Sequence, residues 1–200
     1  MPDAPPDGLV HGQDGRARCW WAGDDPLYVA YHDDEWGRPV HDDVRLFEKL
    51  CLEGFQAGLA WITILRKREA FREVFDGFDP GGVAAMDEDD VKRLLGDQRI
   101  IRHRGKIEAT INNARAYATT VEDVGSLAEL VWSYREEPPT PRPTVINEVR
   151  AASPASTALS KDLKRRGWRF VGPTTAYAFL QSMGVVDDHM AGCHVPPAQD

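Results

Sequence analysis

Four residues of two metal-ligating types stand near opposite ends of this 200-residue chain, and they constrain its fold more than any other feature. Cys19 and His32 lie in the segment RCWWAGDDPLYVAYHDDEWG, and His189 and Cys193 lie in HMAGC. Two cysteines with two histidines are the donor set of a closed tetrahedral zinc site. One ion bound by all four would join the N-terminal and C-terminal segments. Spacing alone leaves a second interpretation open, in which a buried cysteine and two unrelated histidines bind no common metal ion.

Apolar spacing predicts helices over most of the chain. Residues 42–58 (DDVRLFEKLCLEGFQAG) place Val44, Phe47, Leu50 and Cys51 at helical spacing, after an aspartate suited to an N-cap. The same reasoning predicts helices near residues 71–75, 86–95, 103–117 and 127–132, and in TALSKDLKRR and TTAYAFLQSMG. The alternating pattern of a half-buried strand does not stand out anywhere in the sequence. We therefore predict an all-α fold.

The distribution of prolines and glycines predicts the domain organisation. Residues 1–17 are rich in Pro, Gly and Asp and lack apolar periodicity, which predicts a flexible tail. Residues 18–200 are then one domain of two lobes, with its N- and C-terminal segments joined at the zinc ligands and a helical hairpin near 167–176. Residues 135–154 contain five prolines, which predicts an irregular crossover.

Composition favours a soluble protein inside the cell. The sequence is 42% hydrophobic and 28% charged, and it lacks an apolar run long enough to span a membrane. Its start lacks the pattern of a signal peptide. Three cysteines are too few for a disulfide framework and suit a reducing compartment. We therefore expect a cytoplasmic protein that does not bind membranes and is a monomer.

A basic segment near the C-terminus offsets the net charge of −8, which by itself argues against a nucleic-acid partner. KRRGWRFVGPTTAYAFL predicts a helix, a tight turn and a second helix, with Gly167 ending the first and Pro173 opening the second. Free N–H groups at the start of the second helix would face an incoming phosphate. The segment resembles a helix-hairpin-helix, which grips the DNA backbone without reading its sequence. An ordinary helical hairpin on a solvated surface remains the alternative.

Seven segments, in order along the chain, carry a resemblance to a known family. They are RCWW, DPLYVAYHDDEWG, FEKLCLEGFQAGLAWITIL, RIIRHRGKI, INNARAY, LSKDLKRRGWRFVGPTTAYAFLQSMG and VVDDHMAGC. Together they resemble the 3-methyladenine DNA glycosylase I family, a branch of the helix-hairpin-helix glycosylases. The resemblance covers nearly everything from Arg18 to Cys193, and leaves out the N-terminal tail and the Pro-rich 135–154 segment.

The resemblance implies a helix-hairpin-helix glycosylase bundle that repairs alkylated duplex DNA by base excision. The enzyme would hydrolyse the N-glycosidic bond of 3-methyladenine. One structural zinc ion would be held by Cys19, His32, His189 and Cys193, and Glu53 would contact the damaged base. The implied aromatic pocket falls on Trp21, Tyr28, Tyr31, Trp36 and Trp61. Leu59 takes the place of a small apolar wedge that enters the DNA stack. The implied backbone contacts involve Lys164, Arg165, Arg166, Gly172 and Thr174.

Two positions bear on the mechanism. Many helix-hairpin-helix glycosylases carry a catalytic aspartate after the hairpin, where this family typically has asparagine, and VVDDH places Asp187 there. Asp187 is thus either a helper that stabilises the cationic sugar or orients water, or a helix cap. Relatives with lyase activity carry a nucleophilic lysine where this chain has Thr174. Without that amine no Schiff base forms, which predicts a monofunctional hydrolase that leaves an abasic site.

Two other classes of protein fit part of the sequence. A zinc-stapled, non-catalytic DNA-binding module explains the basic segment and the metal ligands, but it gives Glu53 and the aromatic set no role. A zinc hydrolase would need an open coordination position, whereas four protein ligands leave none for water.

Overall fold

The computed structural model of the protein describes residues 4–197, so residues 1–3 of the predicted tail and 198–200 of the predicted domain lie outside it. Two strands open the described chain, β1 (Leu9–His11) and β2 (Ala17–Cys19). The helices are α1 (Pro26–Asp34), α2 (Asp43–Gln56), α3 (Trp61–Leu65), α4 (Arg68–Val74), α5 (Pro80–Ala85), α6 (Glu88–Gly96), α7 (Arg104–Val124), α8 (Leu127–Trp132), α9 (Pro154–Arg165) and α10 (Pro173–Ser182). The predicted helical fold class is confirmed.

Local chemistry explains where the predicted helices begin. Asp42 caps α2 by accepting a hydrogen bond from the Arg45 N–H at 2.9 Å. Asp87 and Asp90 form a reciprocal capping box at the start of α6. Ser153 caps α9. These caps stand directly before apolar stripes, and therefore the sequence located these helices well.

The N-terminal segment differs from the expected flexible tail. β1 and β2 pair antiparallel, with Leu9 opposite Cys19 and His11 opposite Ala17. The hairpin lies against the C-terminal segment, since His194 N–H donates to the Ala17 carbonyl at 2.8 Å. Leu9 also packs on a small separate core around Cys19 and Met190. Three-residue strands carry no readable alternation, and their packing partners lie far away in the sequence.

The Pro-rich crossover follows the prediction. Its regular structure among residues 135–153 is one short 3-10 turn, Ile146–Glu148. The segment is tied to both chain ends, because Ile146 N–H donates to the Pro6 carbonyl at 3.0 Å and Ala191 N–H to the Pro143 carbonyl at 2.9 Å. It therefore lies close to the residues that precede and follow the main helical core.

The main core surrounds α2, which is buried along most of its length and lies against α3, α7, α8 and α10. α9 and α10 form the predicted hairpin. Gly167 follows α9 with φ of +89°, and Ser160 Oγ holds the turn by donating to the Val171 carbonyl at 2.6 Å. Within residues 4–197, no helix has both the length and the apolar character needed to cross a membrane.

Two glycines with positive φ differ in what surrounds them, and this predicts different costs of substitution. A Cβ at Gly184 would lie 2.5 Å from backbone atoms of Arg38 and Pro39, whereas a Cβ at Gly167 would meet open space. Gly167→Ala should cost about 1–2 kcal/mol, the penalty of a left-handed backbone. Gly184→Ala should cost about 2–5 kcal/mol, because overpacking adds to that penalty. Urea unfolding of both variants measures the difference, and equal losses would contradict the close backbone packing at Gly184.

Candidate functional site

An open cavity of about 240 Å³ lies between α1, α2, α10 and the end of the crossover. This aromatic cavity is smaller than the roughly 300–1,000 Å³ of typical drug-binding pockets, which suits a small flat ligand. All five aromatic residues predicted to bind a base line it: Trp21, Tyr28, Tyr31, Trp36 and Trp61. Glu53 lines it too, together with Trp20, Gln56, Val149, Arg150, Ala178, Gln181 and Asp188.

The aromatic rings are in mutual contact and form a continuous wall. The Trp21 ring centroid lies 5.1 Å from that of Tyr28 and 4.9 Å from that of Trp36, and the Tyr31 centroid lies 5.5 Å from that of Trp61. Four of the rings come from the segment that includes α1, and the fifth comes from the first residue of α3. Among the described residues the buried Trp61 Nε1 has no hydrogen-bond partner. The wall therefore offers π faces to a ligand.

Glu53 is paired with a buried lysine that the sequence reasoning missed. Lys49 Nζ lies 2.9 Å from Glu53 Oε1 and donates to Tyr31 Oη at 2.7 Å. It also lies 3.2 Å from the centroid of the Trp61 ring. Lys49 and Glu53 are 6% and 5% exposed, so neither charge is well solvated. Lys49 thus holds the Glu53 carboxylate and the Tyr31 hydroxyl in place. Its position four residues before Glu53 on the same helix is the sequence signal that could have identified it.

Burial shifts the pKa values of the groups around this pair. Desolvation lowers the pKa of Lys49 to about 8, despite the opposing attraction of Glu53. Desolvation raises the pKa of Tyr28 to about 12, with a contribution from the Glu53 carboxylate. Burial and the same carboxylate raise the pKa of Tyr31 well above its usual value. Both tyrosines therefore remain hydroxyl donors across the physiological range.

The lowered pKa of Lys49 predicts a dependence of stability on pH. The unfolded chain binds more protons at this lysine between pH 8 and 10.5, its lowered and ordinary pKa values. The energetic cost of the buried ammonium is therefore fully present below pH 8 and is relieved as the pH rises through that window. Relative to Lys49→Met, the wild-type free energy of unfolding should rise by up to about 1.4 kcal/mol per pH unit there. Urea unfolding at several pH values tests this, and a constant difference between the two proteins would contradict it.

The four predicted metal ligands meet in a second site beside the aromatic cavity. The candidate donor atoms of Cys19, His32, His189 and Cys193 all lie within 4.8 Å of one another. Cys19 Sγ lies 3.6 Å from His189 Nδ1, and Cys193 Sγ lies 3.5 Å from His32 Nε2. The four residues are buried. They form a group that could hold a metal ion, and it joins the N-terminal hairpin and α1 to the C-terminal segment.

Outer hydrogen bonds orient both histidines toward the centre of this group. His32 Nδ1 lies 2.7 Å from Asp33 Oδ1, and His189 Nε2 lies 3.1 Å from the Trp36 carbonyl. Each bond occupies one ring nitrogen, and the other nitrogen of each ring, His32 Nε2 or His189 Nδ1, lies beside the cysteine sulfurs. Burial opposes ionisation of Asp33, but bonds from Arg18, His32 and His194 outweigh it and hold its pKa well below the usual range.

The two aspartates of VVDDH point to different places, and the structure matches the capping alternative for Asp187. Asp187 binds Arg142, with its Oδ2 accepting from the guanidinium Nε at 2.8 Å, and its Oδ1 caps the His189 N–H at 3.3 Å. Asp188 lines the aromatic cavity instead, where its carboxylate accepts from the Tyr177 hydroxyl and from Gln181 Nε2 at 2.8 Å. The turn after α10 sets which of two adjacent side chains points inward. Their order in the sequence does not show it.

The residues expected to contact DNA occupy different environments. Leu59 is 40% exposed in the turn between α2 and α3, and Thr174 and Lys164 are exposed. Gly172 forms the N-cap of α10, as the hairpin prediction requires. Arg165 pairs with Asp162 and remains largely exposed. Arg166 pairs with both Asp123 and Asp162, and its side chain is only 15% exposed.

Comparison with known proteins gives consistent matches over most of the chain. The family model for methyladenine glycosylases matches residues 21–196. DNA-3-methyladenine glycosylase 1 of Escherichia coli (strain K12) is 52% identical over 177 residues, which are 88% of this chain and 95% of that protein. A crystal structure of 3-methyladenine DNA glycosylase I is 51% identical, with a TM-score of 0.87 over 90% of this chain and 100% of that one. A tyrosine-to-phenylalanine variant of a 3-methyladenine DNA glycosylase I, solved in complex with 3-methyladenine, is 38% identical, with a TM-score of 0.87 over 92% of this chain and 99% of that one.

Proposed function

Because the chain belongs to the methyladenine glycosylase family, we propose that it removes 3-methyladenine from alkylated DNA by hydrolysing the N-glycosidic bond. The observation that carries this proposal is the cavity walled by tryptophan and tyrosine rings, with the buried carboxylate of Glu53 on its surface. A non-catalytic DNA-binding module would have no use for such a cavity. The activity is a step of base-excision repair.

The cavity suits a flat cation. A damaged base must leave the DNA stack before an enzyme reaches its glycosidic bond. Methylation at N3 makes the attached adenine cationic, so the base is already a good leaving group. Stacking between aromatic rings favours a cationic ring by about 1–2 kcal/mol per good contact. Glu53 accepts hydrogen bonds from the base, and a base that leaves this buried carboxylate unpaired is rejected.

Water then attacks C1′ of the sugar as the base departs. Asp188 lines the same cavity as Glu53, so its carboxylate is the one suited to favour the positive charge that develops on the sugar. We therefore assign to Asp188 the helper role considered for Asp187. Thr174 offers no amine for a Schiff base, so the product is an abasic site in an intact strand.

We propose that Cys19, His32, His189 and Cys193 hold one structural zinc ion. Tetrahedral zinc, with Zn–S near 2.3 Å and Zn–N near 2.05 Å, requires sulfur and nitrogen atoms about 3.5 Å apart. The shortest Sγ–N separations in the group, 3.5 and 3.6 Å, agree with this. A bound zinc ion supplies a cross-link between the chain ends. Because His32 lies on α1, the ion would also hold Tyr28 and Tyr31 of that helix in place.

We also propose a domain organisation, an oligomeric state and a set of DNA contacts for the enzyme. Residues 18–200 act as one glycosylase domain of two lobes, and a monomer binds double-stranded DNA. Leu59 enters the stack, and the start of α10 at Gly172 and Thr174 approaches the backbone, with Lys164 and Arg165 nearby. An enzyme with this substrate works in the cytoplasm, beside the bacterial-type nucleoid.

A gel assay tests the proposed reaction. A methylated duplex oligonucleotide is incubated with the enzyme and analysed with and without alkali, which breaks the strand at abasic sites. We expect strand breaks only after alkali. Breaks without alkali would contradict the monofunctional mechanism, and the absence of enzyme-dependent breaks in both samples would contradict glycosylase activity.

A further inference from the structure

A second cavity, of about 330 Å³, adjoins the aromatic cavity and lies between the Pro-rich crossover and Asp188. We call it the crossover cavity. Arg150 and Asp188 line both cavities, so they stand at the junction. Arg142 lines the crossover cavity only. These two arginines belong to the 135–154 segment, where the resemblance to the glycosylases gave no expectation.

Both arginines carry an unused hydrogen-bond donor. Within residues 4–197, the buried Nη2 atoms of Arg142 and Arg150 have no partner. A buried N–H group without a partner costs free energy, so each such atom calls for a physical explanation, of which a bound water or anion is one. The Arg150 guanidinium lies 5.6 Å from the centroid of the Tyr177 ring, which holds it in place from one side.

The acidic residues around the crossover cavity are paired with groups other than Arg150. Asp187 binds the Nε of Arg142, and Asp188 binds Tyr177 and Gln181. Glu148 accepts from the Thr144 N–H at 2.7 Å and from the Thr144 hydroxyl at 2.9 Å. Among the described residues, the recorded neighbour of the Arg150 guanidinium is the Tyr177 ring and not a carboxylate. The chain has 32 acidic residues and 24 lysines and arginines. Even so, this part-buried arginine has no carboxylate partner in the described part of the chain, so it is free to bind an external anion.

The position of Arg150 decides which anion fits. A guanidinium at the rim of the aromatic cavity repels a cationic base, so it does not serve base recognition. A nucleotide that enters the cavity brings its flanking phosphates to the rim. The planar fork of arginine matches a phosphate and binds two of its oxygens. We propose that Arg150 binds a backbone phosphate next to the extruded nucleotide. This inference rests on the proposed action on DNA.

The test compares Arg150→Gln with a matched control, Arg93→Gln. Arg93 is similarly neutralised by this change, but its guanidinium already pairs with Asp90 on its own helix at 2.8 Å. Binding to a duplex containing one tetrahydrofuran abasic-site analogue is measured by fluorescence anisotropy between roughly 50 and 200 mM salt. Arg150→Gln should weaken binding about 10-fold or more at low salt. It should also reduce the slope of log K against log salt by about 0.9, the value for one phosphate contact.

Two further measurements separate a phosphate contact from other roles. Binding of free 3-methyladenine, followed by tryptophan fluorescence, should be unchanged in Arg150→Gln because that ligand has no phosphate. Arg150→Lys should keep the wild-type salt slope, since the charge remains. A salt slope of Arg150→Gln equal to that of Arg93→Gln would overturn the inference, as would an equal loss of free-base binding. Because these assays measure binding, they do not depend on whether the wild-type protein releases a base.

Discussion

Replacing Glu53 by glutamine is expected to slow the release of 3-methyladenine from methylated duplex DNA by about 100-fold or more. The substitution keeps the shape of the side chain, but it removes the negative charge and turns one of two acceptor oxygens into a donor. Loss of one preorganised electrostatic group in an enclosed site typically costs about 10²–10³ in rate. Single-turnover assays with excess enzyme measure the effect on base release separately from DNA binding.

Glu48→Gln provides the matched control. Glu48 lies on the same helix and is also nearly buried, but it pairs with Arg72 at 2.8 Å. It lines a neighbouring cavity, and Glu53 does not line that cavity. Its substitution should leave base release near the wild-type rate. Because Glu53→Gln leaves the ammonium of Lys49 buried without a counter-charge, thermal unfolding of each variant is recorded as well. The double variant Glu53→Gln/Lys49→Met should recover stability without recovering the rate. Equal rates for Glu53→Gln and Glu48→Gln would contradict the role of Glu53.

Removing a ligand of the proposed zinc site is expected to destabilise the fold strongly. Cys193→Ala should lower the unfolding temperature by about 10–20 °C. This follows from a loss on the order of 5 kcal/mol, a part of the roughly 10–16 kcal/mol that structural zinc contributes in small domains. Adding a chelator to the wild-type protein should cause a similar fall, and zinc should reverse it. Differential scanning calorimetry measures both effects.

Cys51→Ala is the control for thiol removal. Cys51 is buried on α2 and lies outside the group of four ligands. Its substitution should produce a modest loss of stability, about 1–2 kcal/mol, and the variant should remain as sensitive to the chelator as the wild-type protein. A wild-type unfolding temperature that does not respond to a chelator would contradict the zinc proposal.

The sequence predicted the helices whose signals are local. α2 and α6 combine an aspartate N-cap with an apolar stripe, and α9 and α10 are bounded by Gly167 and Pro173. The N-terminal hairpin was missed because its stability depends on the distant C-terminal segment. Three-residue strands give no periodic signal, and the contact of Ala17 with His194 forms only in the folded chain.

Some residues of the site were predictable from the sequence and others were not, again because contacts between distant residues leave no local signal. The metal ligands and aromatic residues were identifiable because their residue types in these segments resemble one family. Lys49 was overlooked because lysines on helices usually face solvent, whereas here a carboxylate, a hydroxyl and an aromatic ring compensate its burial. The choice between Asp187 and Asp188 depends on the geometry of one turn. Asp187 binds Arg142 of the crossover, and Asp188 binds Tyr177 of α10. These contacts set the geometry of the turn, and the local sequence does not show them.

The claim that the aromatic cavity captures a cationic methylated base is tested most directly by chromatography of the bases released from methylated duplex DNA. Purified enzyme should release 3-methyladenine well above spontaneous loss and leave unmodified adenine in the strand. A folded preparation that binds the DNA but releases no 3-methyladenine beyond the spontaneous background would show that the cavity does not capture the base for excision.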